Sequence, residues 1–114
     1  MDGSLSKPLP TTKMKLALFL LTQSKEKGYD TYDSAVVAAE SPEDAVTIHP
    51  SDMSNNQHDH ILGQWYTEWN GERSYRAISG GSWAQHSKDV TAELIGRAAP
   101  TVKRGVICAS FNAG

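Results

Sequence analysis

The chain has 114 residues, of which 39% are hydrophobic, 21% charged and 8% aromatic. At roughly one domain per 100–200 residues this leaves room for a single domain and excludes a two-domain enzyme. A formal charge of −2 argues against a protein whose main task is neutralising a nucleic-acid polymer, and the mixed composition is that of a globule rather than a disordered or coiled-coil chain.

Residues 1–13, MDGSLSKPLPTTK, offer little apolar surface to offset the entropy of ordering them. They read as a disordered leader to a single α+β ligand-binding domain over 14–114, with Met14 an alternative start. Leu16–Leu21 is an apolar run far short of the roughly 20 residues that cross a bilayer, and no small-residue cleavage site follows it. It reads as a strand, apolar on both alternating faces, as in a central strand covered on its two sides. Gly28-Tyr-Asp-Thr-Tyr-Asp-Ser34 supplies turn residues with two exposed tyrosines, and Ala35–Ala39 returns as the second strand of a hairpin. Ser41-Pro42-Glu43-Asp44 carries a capping hydroxyl, a proline for the first helical position and an acidic first turn, which predicts a helix of about two turns ending at Pro50.

Residues 50–88 lack a sustained period and hold all three tryptophans, so they read as a long irregular insertion with a short helix around 58–65 and a strand around 75–78. Two further strands, over 90–95 and 106–111, are joined through 97–105. The order β-β-α, insertion, β-β predicts an α+β fold, a mainly antiparallel sheet with one or two short helices.

Charge is uneven along the chain: residues 1–60 hold 5 basic and 9 acidic side chains, residues 61–114 hold 6 and 4. A small anion is therefore expected to prefer the second half. The single cysteine, Cys108, forms no internal disulfide and points to a reducing cytoplasm; within an alternating strand a free cysteine is usually a small buried hydrophobe.

His58-Asp59-His60, with His49 and His86, is the candidate metal cluster, but no Cys or Glu is placed to complete a tetrahedron, and the bland reading is exposed histidines. No nucleophile elbow, Walker loop or dinucleotide-binding glycine pattern is present. Asp30 and Asp33 suit turn capping better than acid–base work. At one helical turn apart, Trp65 and Trp69 would share a face able to stack a nucleobase for roughly 1–3 kcal/mol each, or close a core or subunit interface. Arg73, Arg76, Arg97, Lys103 and Arg104 lie near or beyond them, and guanidinium forks bind phosphate bidentately. The final strand runs into Phe111-Asn112, where Phe111 is a core plug or is held in a site or subunit interface.

Three blocks carry a resemblance: Lys15–Thr22; the stretch GYDTYDSAVVAAES over 28–41 running into Ile48-His49-Pro50; and GVICASFNAG over 105–114. Together they resemble the small phage-encoded type-one Thoeris anti-defence proteins. That resemblance implies a non-catalytic cytoplasmic sponge with no cofactor. Such a protein binds cyclic ADP-ribose isomers made by host TIR-domain enzymes and withholds them, uncleaved, from the immune effector. Some members also hold cyclic oligonucleotides at a separate site and assemble as hexamers, so a homo-oligomer is expected here. On this reading Trp65, Trp69 or Phe111 stacks the adenine, Arg97, Lys103 or Arg104 meets the pyrophosphate, and Asp30, Asp33 or Asn112 bonds ribose hydroxyls. Holding a nanomolar ligand, about −12 kcal/mol, requires preorganisation, which predicts a rigid, enclosed pocket lined by rings and guanidinium groups. Two alternatives are a phage protein that inhibits a host protein by direct contact through the insertion, and a small metal-dependent hydrolase built on His58 and His60.

Overall fold

The computed structural model describes residues 15–51, 56–75 and 83–112. The expected leader over 1–13 and residues 76–78 of the expected strand lie outside them. Two antiparallel sheets account for about half of the described chain. The larger has strand order β6-β1-β2-β7, with β1 Ala17–Thr22, β2 Thr31–Ala39, β6 Thr91–Arg97 and β7 Gly105–Asn112. The smaller is the meander β3 Gln57–Asp59, β4 Gln64–Trp69 and β5 Glu72–Ser74. With one short helix, α1 Pro42–Ala45, and a 3-10 turn at Ser87–Asp89, this is the expected α+β fold built on a mainly antiparallel sheet.

β1 and β2 form the expected hairpin, pairing from Ala17↔Ala39 to Thr22↔Ser34. Gln23 shapes its turn: its side-chain Oε1 accepts from the backbone amides of Lys25 and Glu26, both at 2.9 Å, and its Nε2 donates to the Glu26 carbonyl at 2.8 Å. Asp30, at φ 62, occupies the left-handed region that Asp tolerates better than most residues. Of the two tyrosines expected to be exposed, Tyr29 is exposed and Tyr32 is half-buried.

Alternate positions of the central strands, Phe19 and Leu21 on β1 and Ala35, Val37 and Ala39 on β2, seal the core with Ala45, Ile48, Trp65, Trp83 and Val90. Leu21 and Val37 are fully buried, worth roughly 1.5–3 kcal/mol each. Leu18, Leu20 and Val36 on the opposite face are only half-buried, so the described residues cover one face of this sheet and not both as expected.

Ser41 caps α1 by accepting from the Asp44 amide at 3.0 Å, with Pro42 in the first turn, as the sequence predicts. The helix stops after one turn instead of two. Val46, Thr47 and Ile48 follow, a β-branched run that propagates a helix poorly, and the Thr47 hydroxyl bonds back to the Asp44 carbonyl at 2.6 Å.

The expected helix over 58–65 is a β-hairpin. Asp59 accepts from the amides of Ile61 and Leu62 at 2.9 and 3.1 Å, Gly63 turns at φ 70, and His58 pairs with Trp65 across the strands. The next turn is Asn70-Gly71 at φ 51 and 81, a left-handed pair suited to a two-residue hairpin.

β6 and β7 occur where expected but lie on opposite edges of the sheet. Residues 98–104 therefore cross the ends of β1 and β2, spanning about 14 Å at the usual strand spacing.

Candidate ligand site

The crossover leaves a groove of about 460 Å³ at the end of the sheet where β1 begins and β6 ends. Leu16, Ala17, Ala98, Ala99, Pro100 and Val102 form its apolar wall, and Lys15 and Arg97 stand at its rim. The Ala98 amide donates to the Leu16 carbonyl at 3.1 Å, prolonging the β1–β6 edge, and the Val102 amide donates to the Ala99 carbonyl at 3.0 Å, closing a turn around Pro100. Small residues keep the space open. Both cations are exposed, and neither makes an ion pair among the described residues. A groove of this volume, apolar with two positive charges at its edge, suits a small ligand with a hydrophobic body and an anionic group. Lys15 had no part in the expected site; its position before β1 becomes informative only once β6 lies beside it.

Arg104, expected to meet a pyrophosphate, is committed elsewhere. Its fork grips Asp44, with Nε and Nη2 at 3.1 and 2.8 Å from Oδ1, and Nη2 also reaches the Thr47 hydroxyl at 3.1 Å. The Arg104 hydrogen bond holds the Asp44 carboxyl below the usual carboxylate range, and the guanidinium is raised in turn. The pair pins the end of the crossover to α1, which gives it a structural role. Lys103 is exposed beside it and does not line the groove.

The remaining expected residues gather at the far end of the sheet. The Asn112 side chain donates to the Gly28 carbonyl at 2.7 Å, the Thr31 hydroxyl donates to the same oxygen at 2.7 Å, and the Asn112 carbonyl accepts from the Asp30 amide. Phe111 packs against Tyr32 with ring centroids 4.8 Å apart and remains 47% exposed. Asp33 is exposed at a bulge between the Tyr32 and Ser34 pairings. From Thr31 to Ala38 along β2 is about 23 Å at strand rise, so one chain does not bring these rings to the cations. The expected enclosed pocket of rings and guanidinium groups is thus not formed within one protomer; the groove holds one guanidinium, one ammonium and no ring.

The two tryptophans part company as well. Trp65 is 5% exposed and donates from its indole to the Thr47 carbonyl at 3.0 Å, so it fills the core and has no open face for a base. Trp69, beside the Asn70-Gly71 turn, is 80% exposed. On a strand, four residues separate the buried and solvent ends of one ribbon instead of forming a shared helical face.

His58 and His60 stand edge to edge with Nδ1 atoms 3.3 Å apart, and His58 Nε2 lies 3.0 Å from the Ser87 hydroxyl. Burial, and then the neighbouring His60, lower the His58 pKa. His49 is buried against Trp65, and burial pushes its pKa down to about 4. The Asp59 carboxylate is taken by the hairpin turn, by Tyr75 at 2.8 Å and by Arg73 at 3.4 Å. Among the described residues no group of three or more His, Cys, Asp or Glu side chains is placed to hold a metal. Cys108, expected to be buried, is exposed because β7 is an edge strand and Cys108 pairs with Val36 on the less covered face. No helix among the described residues is long and apolar enough to cross a membrane.

Neither a family model, nor a curated protein, nor a solved structure matches this chain.

Proposed function

We propose that this protein binds a small nucleotide of the cyclic ADP-ribose class in the crossover groove and holds it without cleaving it, as a phage-encoded sponge in the infected host's cytoplasm. The observation that carries the reading is the pair of cations, Lys15 and Arg97, at the rim of an apolar groove of about 460 Å³, with no ion-pair partner among the described residues. The guanidinium would meet one phosphate bidentately and the ammonium the other, while the wall of Leu16, Ala98 and Pro100 would take the apolar face of the ligand.

Aromatic stacking has to come from elsewhere. Because Phe111 and Asn112 lie about 23 Å away on the same sheet, a second copy laid head to tail would carry its Tyr32–Phe111 pair to the first copy's groove. A homo-oligomer with shared pockets follows from this reading. Resemblance to the Thoeris anti-defence proteins through GYDTYDSAVVAAES and GVICASFNAG supports the ligand class.

Thermal shift against a panel of NAD-derived and cyclic nucleotides tests the proposal. A ligand at 100 times its dissociation constant adds roughly 2.7 kcal/mol to stability. Arg97→Ala with Lys15→Ala should abolish the shift, and intact ligand should be recovered after heat denaturation. Linear ADP-ribose in the supernatant would show an enzyme instead, and an unchanged melting temperature across the panel would sink the reading.

A second reading, inhibition of a host protein by direct contact, draws on the insertion's surface: Ile61 is 94% and Trp69 80% exposed, apolar area of the kind that partners cover. A stoichiometric host partner recovered with the protein and lost in Trp69→Ala, with no nucleotide response, would favour it.

A further inference from the structure

A hydrogen-bonded relay joins the neighbouring His58 and His60 to Ser87, twenty-nine residues beyond His58. We propose that Ser87 is a nucleophile for acyl transfer from small apolar esters, with His58 as its general base and His60 as the residue that positions that base.

The geometry has the two links such a group requires. Ser87 Oγ and His58 Nε2 are 3.0 Å apart, and His58 Nδ1 and His60 Nδ1 are 3.3 Å apart. The protons have a consistent arrangement when the serine hydroxyl donates to His58 Nε2 at 3.0 Å in preference to the Gly63 carbonyl at 3.4 Å, and the proton on His58 Nδ1 points to the lone pair of His60 Nδ1. A nucleophile, a base within hydrogen-bond reach and an orienting group on the base's far nitrogen form the general triad pattern. The Asp59 carboxylate, the obvious alternative orienter, is occupied by the turn, Tyr75 and Arg73.

Access and substrate class follow from the adjoining turn. Gly63, at φ 70, lies next to the hydroxyl: a side chain at this position would stand 3.8 Å from Ser87 Oγ, and the Gly63 carbonyl accepts from the Ser87 amide at 2.9 Å. Ile61 and Leu62 on the same turn are 94% and 51% exposed, apolar surface in the segment that leads into Gly63, and a short acyl chain is the substrate class such surface suits. The relay sits at the start of β6 and the groove at its end, about 20 Å away along the strand, so this activity does not depend on the nucleotide reading.

In the reaction, Ser87 Oγ bonds to the ester carbonyl carbon as its proton passes to His58 Nε2. His60 accepts the hydrogen bond from the imidazolium's Nδ1–H. The carbonyl carbon–alkoxide bond breaks, and the alkoxide leaves with the proton from Nε2. Water then attacks the acyl-serine by the same route in reverse, giving the acid and restoring the hydroxyl. A positioned base contributes on the order of 10²–10⁴-fold to such a step.

The test treats the intact protein with a fluorophosphonate, which bonds to a nucleophilic serine as fluoride leaves, and maps the adduct by mass spectrometry. Hydrolysis of p-nitrophenyl butyrate is followed in parallel. One stoichiometric adduct on Ser87 is expected, with nitrophenolate release lost in Ser87→Ala. His58→Gln keeps a hydrogen-bonding partner for Ser87 but removes the base, and should slow labelling on the order of 100-fold. His60→Ala should lower kcat with KM unchanged, a split that a purely structural contact would not produce. Absence of an adduct at Ser87 overturns the proposal. So does nitrophenolate release that survives in Ser87→Ala, or labelling of His58→Gln at the parental rate, which would leave the contact as a tie between the hairpin and the 3-10 turn.

Discussion

The two sheets of this protein are held by different forces. In the four-stranded sheet the paired strands bury Phe19, Leu21, Ala35, Val37 and Ala39 in the apolar core, with the Arg104–Asp44 pair tying α1 to the crossover. In the three-stranded sheet β5 is exposed along its length, and the structure rests on turn chemistry and side-chain polar bonds. Asp59 organises one turn, Asn70-Gly71 makes the other, and Arg73 lies 4.2 Å over the Tyr66 ring while Tyr75 bonds Asp59. Burial tolerates neighbours of many shapes but not a cavity, whereas a turn held by one carboxylate depends on that residue. Trp65 belongs to both, as a strand residue of the small sheet whose ring completes the core of the large one.

The sharpest way to break this comparison is to hollow the larger sheet. Leu21→Ala leaves a void at a fully buried site and should cost about 2–5 kcal/mol, read by denaturant unfolding as a lower midpoint with an unchanged slope. The next effect falls at the junction of the sheets. His49 is held neutral by burial with a pKa of about 4, against an ordinary value of 6.5 that it regains on unfolding. Between those values the unfolded chain binds the extra proton, so stability falls as pH drops below 6.5 and the loss is complete below about 4. That shift corresponds to up to about 3 kcal/mol. His49→Asn, which keeps an acceptor near the Ser51 amide, should flatten melting temperature against pH across this window; a curve identical to the parent's would contradict the assignment. The smallest effect is expected in the inserted sheet. Asp59→Ala should loosen the hairpin, with hydrogen-exchange protection lost over 57–74 and kept in β1 and β2. Equal loss in both sheets would show that they unfold as one unit.

Where local pattern and tertiary need agree, the structure could be read in advance. β1, β2, β6 and β7 are apolar runs bounded by turn residues, and Ser41-Pro42 announces α1 by its own side-chain chemistry. The insertion misled because a spacing of four, as between Trp65 and Trp69, suits one face of a helix and one face of a strand equally. Asn70-Gly71 and Asp59 with Gly63 were the local signals that resolve this in favour of hairpins, since they specify turns and not helical faces.

The candidate sites were harder to read for a different reason. The amino-acid order dictated the four strands of the larger sheet, the capping of α1, the sign of charge in each half and the absence of a membrane-length apolar run. Folding alone assigned partners across long separations: Arg104 to Asp44, sixty residues back; Ser87 to His58, twenty-nine residues back; and Lys15 to Arg97 across the groove. Such pairings depend on strand order, and β6 and β7 joined opposite edges of the sheet. Local propensity carries no information about which edge a strand will join, because the backbone hydrogen bonds on offer are the same at either side.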